Sequence, residues 1–172
     1  RVVAAVAKDY GDVLEAGNID LKANIKEARR MGFREFVGHL SPDMKWDFKA
    51  HINADAAGLD PAKIAEFGNL HYGIVAAANG YSLQETLSGA GGAQYFLQEG
   101  GSLLEFIAPY VAPLAVAPSS PAAMNPQGLD PVWYPMLTRE GATRWLESGG
   151  TFGDLPDDNP IVRRGWELYH GL

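Results

Sequence analysis

Apolar and polar residues follow the spacing of amphipathic helices along most of the chain, whereas strand-like alternation is scarce. Asn18 or Asp20 can cap a first helix over residues 21–39, because apolar and small positions recur there at helical spacing: Leu21, Ile25, Ala28, Gly32 and Phe36. Short extended pieces are expected at most at residues 2–6 and 132–134. The pattern therefore predicts a mainly α fold, and α+β at most.

Helix-start signals mark two further helices. Asp60-Pro61 joins an N-cap carboxylate to a proline at the first helical position, and predicts a second helix as far as Asn79, closed by a glycine. Ser82 followed by Glu85 has the spacing of a capping box. It predicts a third helix that ends near residues 100–101.

The carboxy-terminal part repeats these signals around an irregular segment. A short helix is expected over residues 138–146, and Asn159-Pro160 predicts a last helix through Tyr169. The segment 109–135 is rich in Pro, Ala and Ser, and it is interpreted as an irregular excursion because the piece behind it is too short to fold alone. We therefore expect one compact, mainly helical domain over residues 1–172.

Composition and charge narrow the classes of function. The chain has 172 residues, of which 47% are hydrophobic and 20% charged, with a net charge of −7 at pH 7. It contains no cysteine, which excludes disulfides, thiolate nucleophiles and cysteine-bound metals. No apolar run approaches the length that spans a membrane. Binding of nucleic acid is unfavourable for an acidic chain with only short basic clusters. We therefore expect no nucleic-acid partner and, because no membrane-spanning run is present, no membrane partner.

The second predicted helix carries the most interesting polar residues. Its two faces are both apolar or small, so we expect it to be central, where Glu66 and Asn69 are costly unless hydrogen-bonded or bordering a cleft. Apolar surroundings raise the pKa of a carboxyl group, which makes Glu66 a candidate general acid. Asn69, His71 and Tyr72 would position a glycan. The alternative is that Glu66 lies on the helix surface while His71 and Tyr72 fill the core.

Three carboxylates follow one another on a proline-stiffened loop before the last helix, at positions 154, 157 and 158. Asp154 is too far from the predicted last helix to be its N-cap, so it is the preferred catalytic partner of Glu66. It would activate water or stabilise an oxocarbenium-like transition state. Asp158 is expected to cap the last helix, and it is also a candidate for contact with the glycan. Acid runs of this kind are usually caps or solvated, so no metal ion and no cofactor are expected.

Two further elements offer candidate site residues. Trp46 could form a sugar platform with Asp47 orienting the ligand, or the same residues could form a turn packed on the core by its aromatics. Glu27 is a third candidate catalytic carboxylate. It either faces solvent or is the acid that a lysozyme-like first helix presents to its cleft.

Five segments in this order resemble the polymorphic toxin type 44 domain of bacteria: Asn24-Ile25-Lys26-Glu27-Ala28, Trp46-Asp47-Phe48-Lys49, Glu66 to Gly73, Ala90-Gly91 with Gln94, and Gly153-Asp154 with Asp158. The chain departs from the family pattern at Lys45, where proline is usual, at Phe152, where tyrosine is common, and in the insertion at 109–135. The segments are also similar to secreted fungal and bacterial muramidase domains. The resemblance implies an antibacterial effector, with nuclease and cell-wall hydrolase as rival activities.

The acidity of the chain, its candidate carboxylates and the family resemblance together predict a single lysozyme-like catalytic domain. It would be a secreted muramidase that cleaves the β-1,4 bond between N-acetylmuramic acid and N-acetylglucosamine. Either Glu66 or Glu27 would protonate the leaving oxygen, with Asp154 opposite. Expected partners are peptidoglycan glycan strands, with a wall-binding module on the same polypeptide or an immunity protein. The start without methionine or an apolar leader predicts a processed product or a domain of a longer protein. Two alternatives stay open: a metal-independent RNase toxin using His71 and Lys49, and a non-catalytic wall-binding module.

Overall fold

In the computed structural model, the described part of the chain comprises residues 1–41, 43–83, 85–87, 89–90 and 158–172. Of these residues 75% are helical, and no strand occurs among them, which confirms the mainly α prediction. No helix in this part is long and apolar enough to cross a membrane.

The chain divides by its internal contacts into two compact units. One is Arg1–Thr86 with Pro160–Leu172, and the other is Leu87–Asn159. Most of the second unit falls outside the described residues, and so do the predicted features at 109–135, 132–134 and 138–146. The prediction of a single catalytic domain over the whole chain stays a prediction.

Seven helices have both ends in the described part: α1 (Val2–Ala16), α2 (Leu21–Ala28), α3 (Phe33–Leu40), α4 (Phe48–His51), α5 (Ala54–Ala57), α6 (Pro61–Asn79) and α7 (Asp158–His170). Described residues between 83 and 90 are helical as well. The predicted second and last helices are thus confirmed as α6 and α7, although α7 begins one residue before Asn159.

The amino-terminal segment is a helix, so the expected extended piece at residues 2–6 is wrong. The buried side chains of α1 are Val6, Tyr10 and Val13, which recur at helical spacing and face the core. Packing on α6 outweighs the strand preference of the valines at the start of the chain, because β-propensity depends strongly on context.

The predicted first helix over residues 21–39 is in fact two helices. α2 ends at Ala28, and Gly32 is the extended N-cap of α3, with φ −75° and ψ 164°. Ala28, Gly32 and Phe36 stay at helical spacing across this break, so the spacing alone gave no sign of it. Asp20 is confirmed as the N-cap of α2, since its side chain accepts a backbone N–H in the first turn.

The capping signals read from the sequence are confirmed at the level of single hydrogen bonds. Asp60 Oδ1 accepts the N–H of Ala62 at 2.9 Å, and Gly80 ends α6 in the left-handed region with φ 103°. Ser82 N–H donates to Glu85 Oε2 at 2.7 Å, while Glu85 N–H donates to Ser82 Oγ at 3.2 Å. These two bonds are the reciprocal pair of a capping box.

α6 is the central helix of its unit, as its two apolar faces predicted. Ten of its 19 residues are buried, and α1, α2 and α4 pack on it. α7 crosses it through a pair of glycines: a Cβ on Gly73 would overlap the Val162 carbonyl oxygen, and one on Gly165 would overlap that of Leu70. The two helices therefore meet backbone to backbone.

Candidate functional site

A charged cluster forms where α2 approaches the turn that precedes α4. Glu27 Oε2 accepts a hydrogen bond from Lys45 Nζ at 2.5 Å, and Glu27 Oε1 lies 3.4 Å from His39 Nε2. The hydrogen bond from Lys45 lowers the pKa of Glu27 below its usual range, although partial burial acts in the opposite direction. Glu27 is therefore held ionised at neutral pH.

Glu27 also lines an open hollow of about 420 Å³ at the surface of α2, α3 and the connection between them. The lining residues are Ala23, Lys26, Glu27, Arg30, Met31 and Glu35. This volume falls in the range of small-molecule sites, and the hollow presents two carboxylates, one from each helix. Sequence reasoning singled out Glu27 but missed Glu35, His39 and Lys45.

Hydrogen bonds join the end of α2, which forms part of the wall of the hollow, to the central helix α6. Asn79 Nδ2, at the end of α6, donates to the carbonyl oxygens of Ala28 at 2.6 Å and Met31 at 3.0 Å. These carbonyls belong to the last turn of α2 and the residues after it, where the regular helix hydrogen bonds end. One side chain thus caps α2 and fixes the connection that follows.

His71 lies in the core, one layer inside the charged cluster. It is 1% exposed, and its ring is surrounded by those of Trp46, Phe48 and Phe67 at centroid distances of 5.2, 4.8 and 5.9 Å. Asn24 Nδ2 donates to His71 Nε2 at 3.1 Å, which places the ring proton on Nδ1. Burial lowers the pKa of His71 to about 3, so the ring is neutral at neutral pH.

Trp46 is a core residue and not a sugar platform. It is 4% exposed and packs against Phe36, His39 and His71 at centroid distances of 6.1, 5.0 and 5.2 Å. A stacking platform needs an exposed ring face, so the expectation of a platform is corrected to its stated alternative, a turn packed on the core. Asp47 supports that turn, since its Oδ2 accepts the N–H of Asp43 at 3.0 Å.

Glu66 lies on the side of α6 that faces α1. Its Oε1 accepts a hydrogen bond from Tyr10 Oη at 2.6 Å, and Tyr10 is 3% exposed. Burial, and then the neighbouring Glu66, raise the pKa of Tyr10 above its usual range, so the phenol keeps its proton. His71 is hydrogen-bonded to Asn24 on α2, so Glu66 and His71 have different hydrogen-bond partners. Asp154, the predicted partner of Glu66, lies outside the described residues.

The remaining predicted site residues have mixed surroundings. Asn69 is half-buried on α6, and its side chain forms no hydrogen bond within the described part of the chain. The Tyr72 hydroxyl donates to the carbonyl oxygen of Thr86 at 2.9 Å, which ties α6 to the helix that follows. Asp158 lies in the first turn of α7, where a negative charge suits the helix dipole.

No group of three or more His, Asp or Glu side chains converges as a metal site among the residues that the structure describes.

The whole chain was compared with curated proteins, with solved structures and with models of protein families. No curated protein and no solved structure gives a significant match. The model of the family described as bacterial toxin 44 matches residues 15–171, which includes the charged cluster, the hollow and α6. A match over nearly the full length confirms the resemblance seen in the sequence, and it shows that this chain belongs to the bacterial toxin 44 family.

Proposed function

We propose that this chain is a peptidoglycan hydrolase that cleaves the β-1,4 bond between N-acetylmuramic acid and N-acetylglucosamine. Membership of the bacterial toxin 44 family supports a toxic effector role. A cell-wall target, reached outside the producing cell, is our more specific proposal. Its supports are the net charge of −7, unfavourable for a polyphosphate substrate, and the carboxylates of the hollow.

The observation that carries the proposal is the ionised carboxylate of Glu27 in an open hollow. Hydrolysis of a glycosidic bond needs one carboxyl group that protonates the leaving oxygen and a second that is negatively charged. Lys45 lowers the pKa of Glu27, which suits the negatively charged role better than the donor role. Glu35 lines the same hollow from α3 and is the candidate proton donor there.

Glu66 and Asp154 stay in the proposal as the second pair of candidates. The hydrogen bond from Tyr10 occupies one oxygen of Glu66 on the α1 side, away from the residues that line the hollow. Asp154 keeps its predicted role of activating water or stabilising the transition state. Single substitutions of all four carboxylates, Glu27, Glu35, Glu66 and Asp154, distinguish the two pairs.

The burial of His71 argues against the RNase alternative. A nuclease that uses His71 as its general acid or base needs that ring to exchange protons with the substrate near neutral pH. His71 is 1% exposed with a pKa of about 3, while Lys49 is exposed on α4. A nuclease built on these two residues would lack both an accessible ring and a usable proton.

The test uses the folded protein on purified bacterial cell walls, with turbidity and new reducing ends as readouts. We expect clearing of the walls and reducing-end N-acetylmuramic acid in the products. Glu27→Gln should lower the rate at least about 100-fold, the usual size of a lost acid–base group. Glu15→Gln, at an exposed position of α1, is the matched control and should keep full activity.

Three results separate the alternatives. Walls that stay intact under the folded wild-type protein contradict the proposal. Degradation of total RNA in EDTA identifies a metal-independent nuclease instead. Sedimentation with walls that yields no reducing ends, and that all four carboxylate variants retain, identifies a non-catalytic wall-binding module.

A further inference from the structure

Two basic side chains line the hollow beside its two carboxylates, although the protein as a whole is acidic. Residues 22–34 contain a single acid, Glu27, against five basic side chains: Lys22, Lys26, Arg29, Arg30 and Arg34. Two of these, Lys26 and Arg30, line the hollow itself. Basic charge is therefore concentrated at the same place as the two carboxylates of the proposed site.

The charges of Lys26 and Arg30 are not neutralised by other described residues. The obvious counter-ion, Glu27, is engaged by Lys45 at 2.5 Å instead. The neighbouring Arg29 turns away, with its Nε donating to Tyr169 Oη at 3.1 Å. Lys26 and Arg30 are exposed and form no ion pair within the described part of the chain, so a bound ligand can supply the missing negative charge.

We infer that Lys26 and Arg30 bind a carboxylate of the glycan, so that the hollow selects an acidic amino sugar over a neutral one. This inference rests on the proposed function and specifies its substrate class. N-acetylmuramic acid carries a lactyl group that ends in a carboxylate or continues into an acidic stem peptide. A chain of N-acetylglucosamine alone offers no such group, and an arginine fork with a lysine matches a carboxylate well.

The charges of the hollow favour a single carboxylate over a chain of phosphates. Glu27 is ionised and Glu35 is a second acid on the same surface. A nucleic acid would bring several phosphates against these carboxylates, which like-charge repulsion disfavours. One carboxylate placed between Lys26 and Arg30 meets less of that repulsion than a chain of phosphates does.

The experiment measures kcat/KM on three substrates that carry different carboxylates, or none, near the cleaved bond. They are peptidoglycan with its stem peptides, glycan stripped by an amidase to the free lactyl carboxylate, and neutral chitohexaose. Lys26→Gln and Arg30→Gln are the test variants. Lys22→Gln and Arg34→Gln are the controls, because these residues are exposed on α2 and α3 outside the lining of the hollow.

We expect each test variant to lose about tenfold in kcat/KM on acidic glycan, the effect of one hydrogen bond to a charged group. Cleavage of chitohexaose, and all activities of the two controls, should be unchanged. A loss only on peptide-bearing glycan identifies a stem-peptide carboxylate as the ligand. A loss only on the stripped glycan identifies the free lactyl carboxylate, and a loss on both shows that the site binds either carboxylate. An equal loss on chitohexaose overturns the inference.

Failure of the proposed function gives a different result. If the wild-type protein cleaves no glycan, the inference is decided by equilibrium binding of a purified disaccharide tetrapeptide and of chitobiose. A preference for the disaccharide tetrapeptide that Lys26→Gln and Arg30→Gln abolish supports the acidic-glycan site. Equal binding of both sugars overturns it, and so does tight binding of single-stranded RNA that the same two variants lose.

Discussion

Gly73 of α6 and Gly165 of α7 each lie against the backbone of the other helix. A methyl group on Gly73 would overlap the carbonyl oxygen of Val162 and approach Trp166 N to 3.0 Å. One on Gly165 would overlap the carbonyl oxygen of Leu70. The crossing thus depends on two residues without a side chain, and the contact is reciprocal because each glycine makes room for the backbone that carries the other.

Alanine at either glycine is expected to destabilise the fold. The added methyl group meets backbone atoms that cannot rotate away, so the helices must separate at a cost of about 1–3 kcal/mol each. Denaturant unfolding of Gly73→Ala and Gly165→Ala measures this loss. Gly68→Ala is the control, since a methyl group there would have no neighbour within 4 Å and alanine favours helix by about 1 kcal/mol. Equal stability of Gly68→Ala and Gly73→Ala would contradict the close crossing.

The buried His71 is expected to make stability depend on acid pH. Its pKa is about 3 in the fold against an ordinary 6.5, so between these values the unfolded chain binds a proton that the folded chain does not. Its contribution is fully present above pH 6.5 and is lost as the pH falls towards 3. The free energy of unfolding should therefore fall by up to about 1.4 kcal/mol per pH unit in this window.

Two variants isolate the histidine responsible. His71→Gln cannot titrate and should flatten the dependence between about pH 6 and pH 4, while lowering stability at neutral pH. His51→Gln is the matched control at an exposed position on α4. A slope that persists in His71→Gln would assign the effect to other groups.

The hydrogen bond between Tyr10 and Glu66 is expected to serve mainly stability. Tyr10→Phe removes a buried donor and leaves the carboxylate without it, so unfolding should become easier by about 1–3 kcal/mol. Tyr169→Phe is the control on an exposed bond to Arg29, and should change stability by less than about 0.5 kcal/mol. If Glu66 were the proton donor, Tyr10→Phe would also shift the pH profile of wall hydrolysis.

Lys45 is expected to set the acid side of the activity profile. Its hydrogen bond and charge lower the pKa of Glu27, so Lys45→Gln should raise that pKa towards its usual value. Since the proposed role needs Glu27 ionised, the acid limb of kcat/KM should move to higher pH and the alkaline limb should stay. Lys49→Gln is the control at an exposed position nearby. If Lys45→Gln and Lys49→Gln had identical pH profiles of kcat/KM, Glu27 would have no role in catalysis.

The fold was predictable wherever the signal is local. The cap at Asp60, the capping box of Ser82 and Glu85, and the start of α7 depend on residues within one helical turn of each other. The break between α2 and α3 could not be predicted, because the helical spacing of apolar positions continues across Gly32. α1 was missed because valine favours strands locally, and only its packing against α6 makes it a helix.

The site was less predictable than the fold for the same reason. Glu27 could be found because it stands in a recognisable segment, but its state depends on Lys45, 18 positions later. The Tyr10 that binds Glu66 is 56 positions away. Partners at such distances leave no periodic pattern. The burial of Trp46 likewise follows from tertiary packing and not from its neighbours in sequence.

The two hydrogen bonds from Asn79 to the end of α2 hold the backbone of the proposed site in place before any ligand binds. Because they join its wall to the most deeply buried helix, backbone amides there should exchange deuterium at the slow pace of the core and not fray like an ordinary loop. A ligand then meets a surface that is already rigid, so association loses little entropy to ordering the protein. Recognition at this place is closer to lock and key than to induced fit.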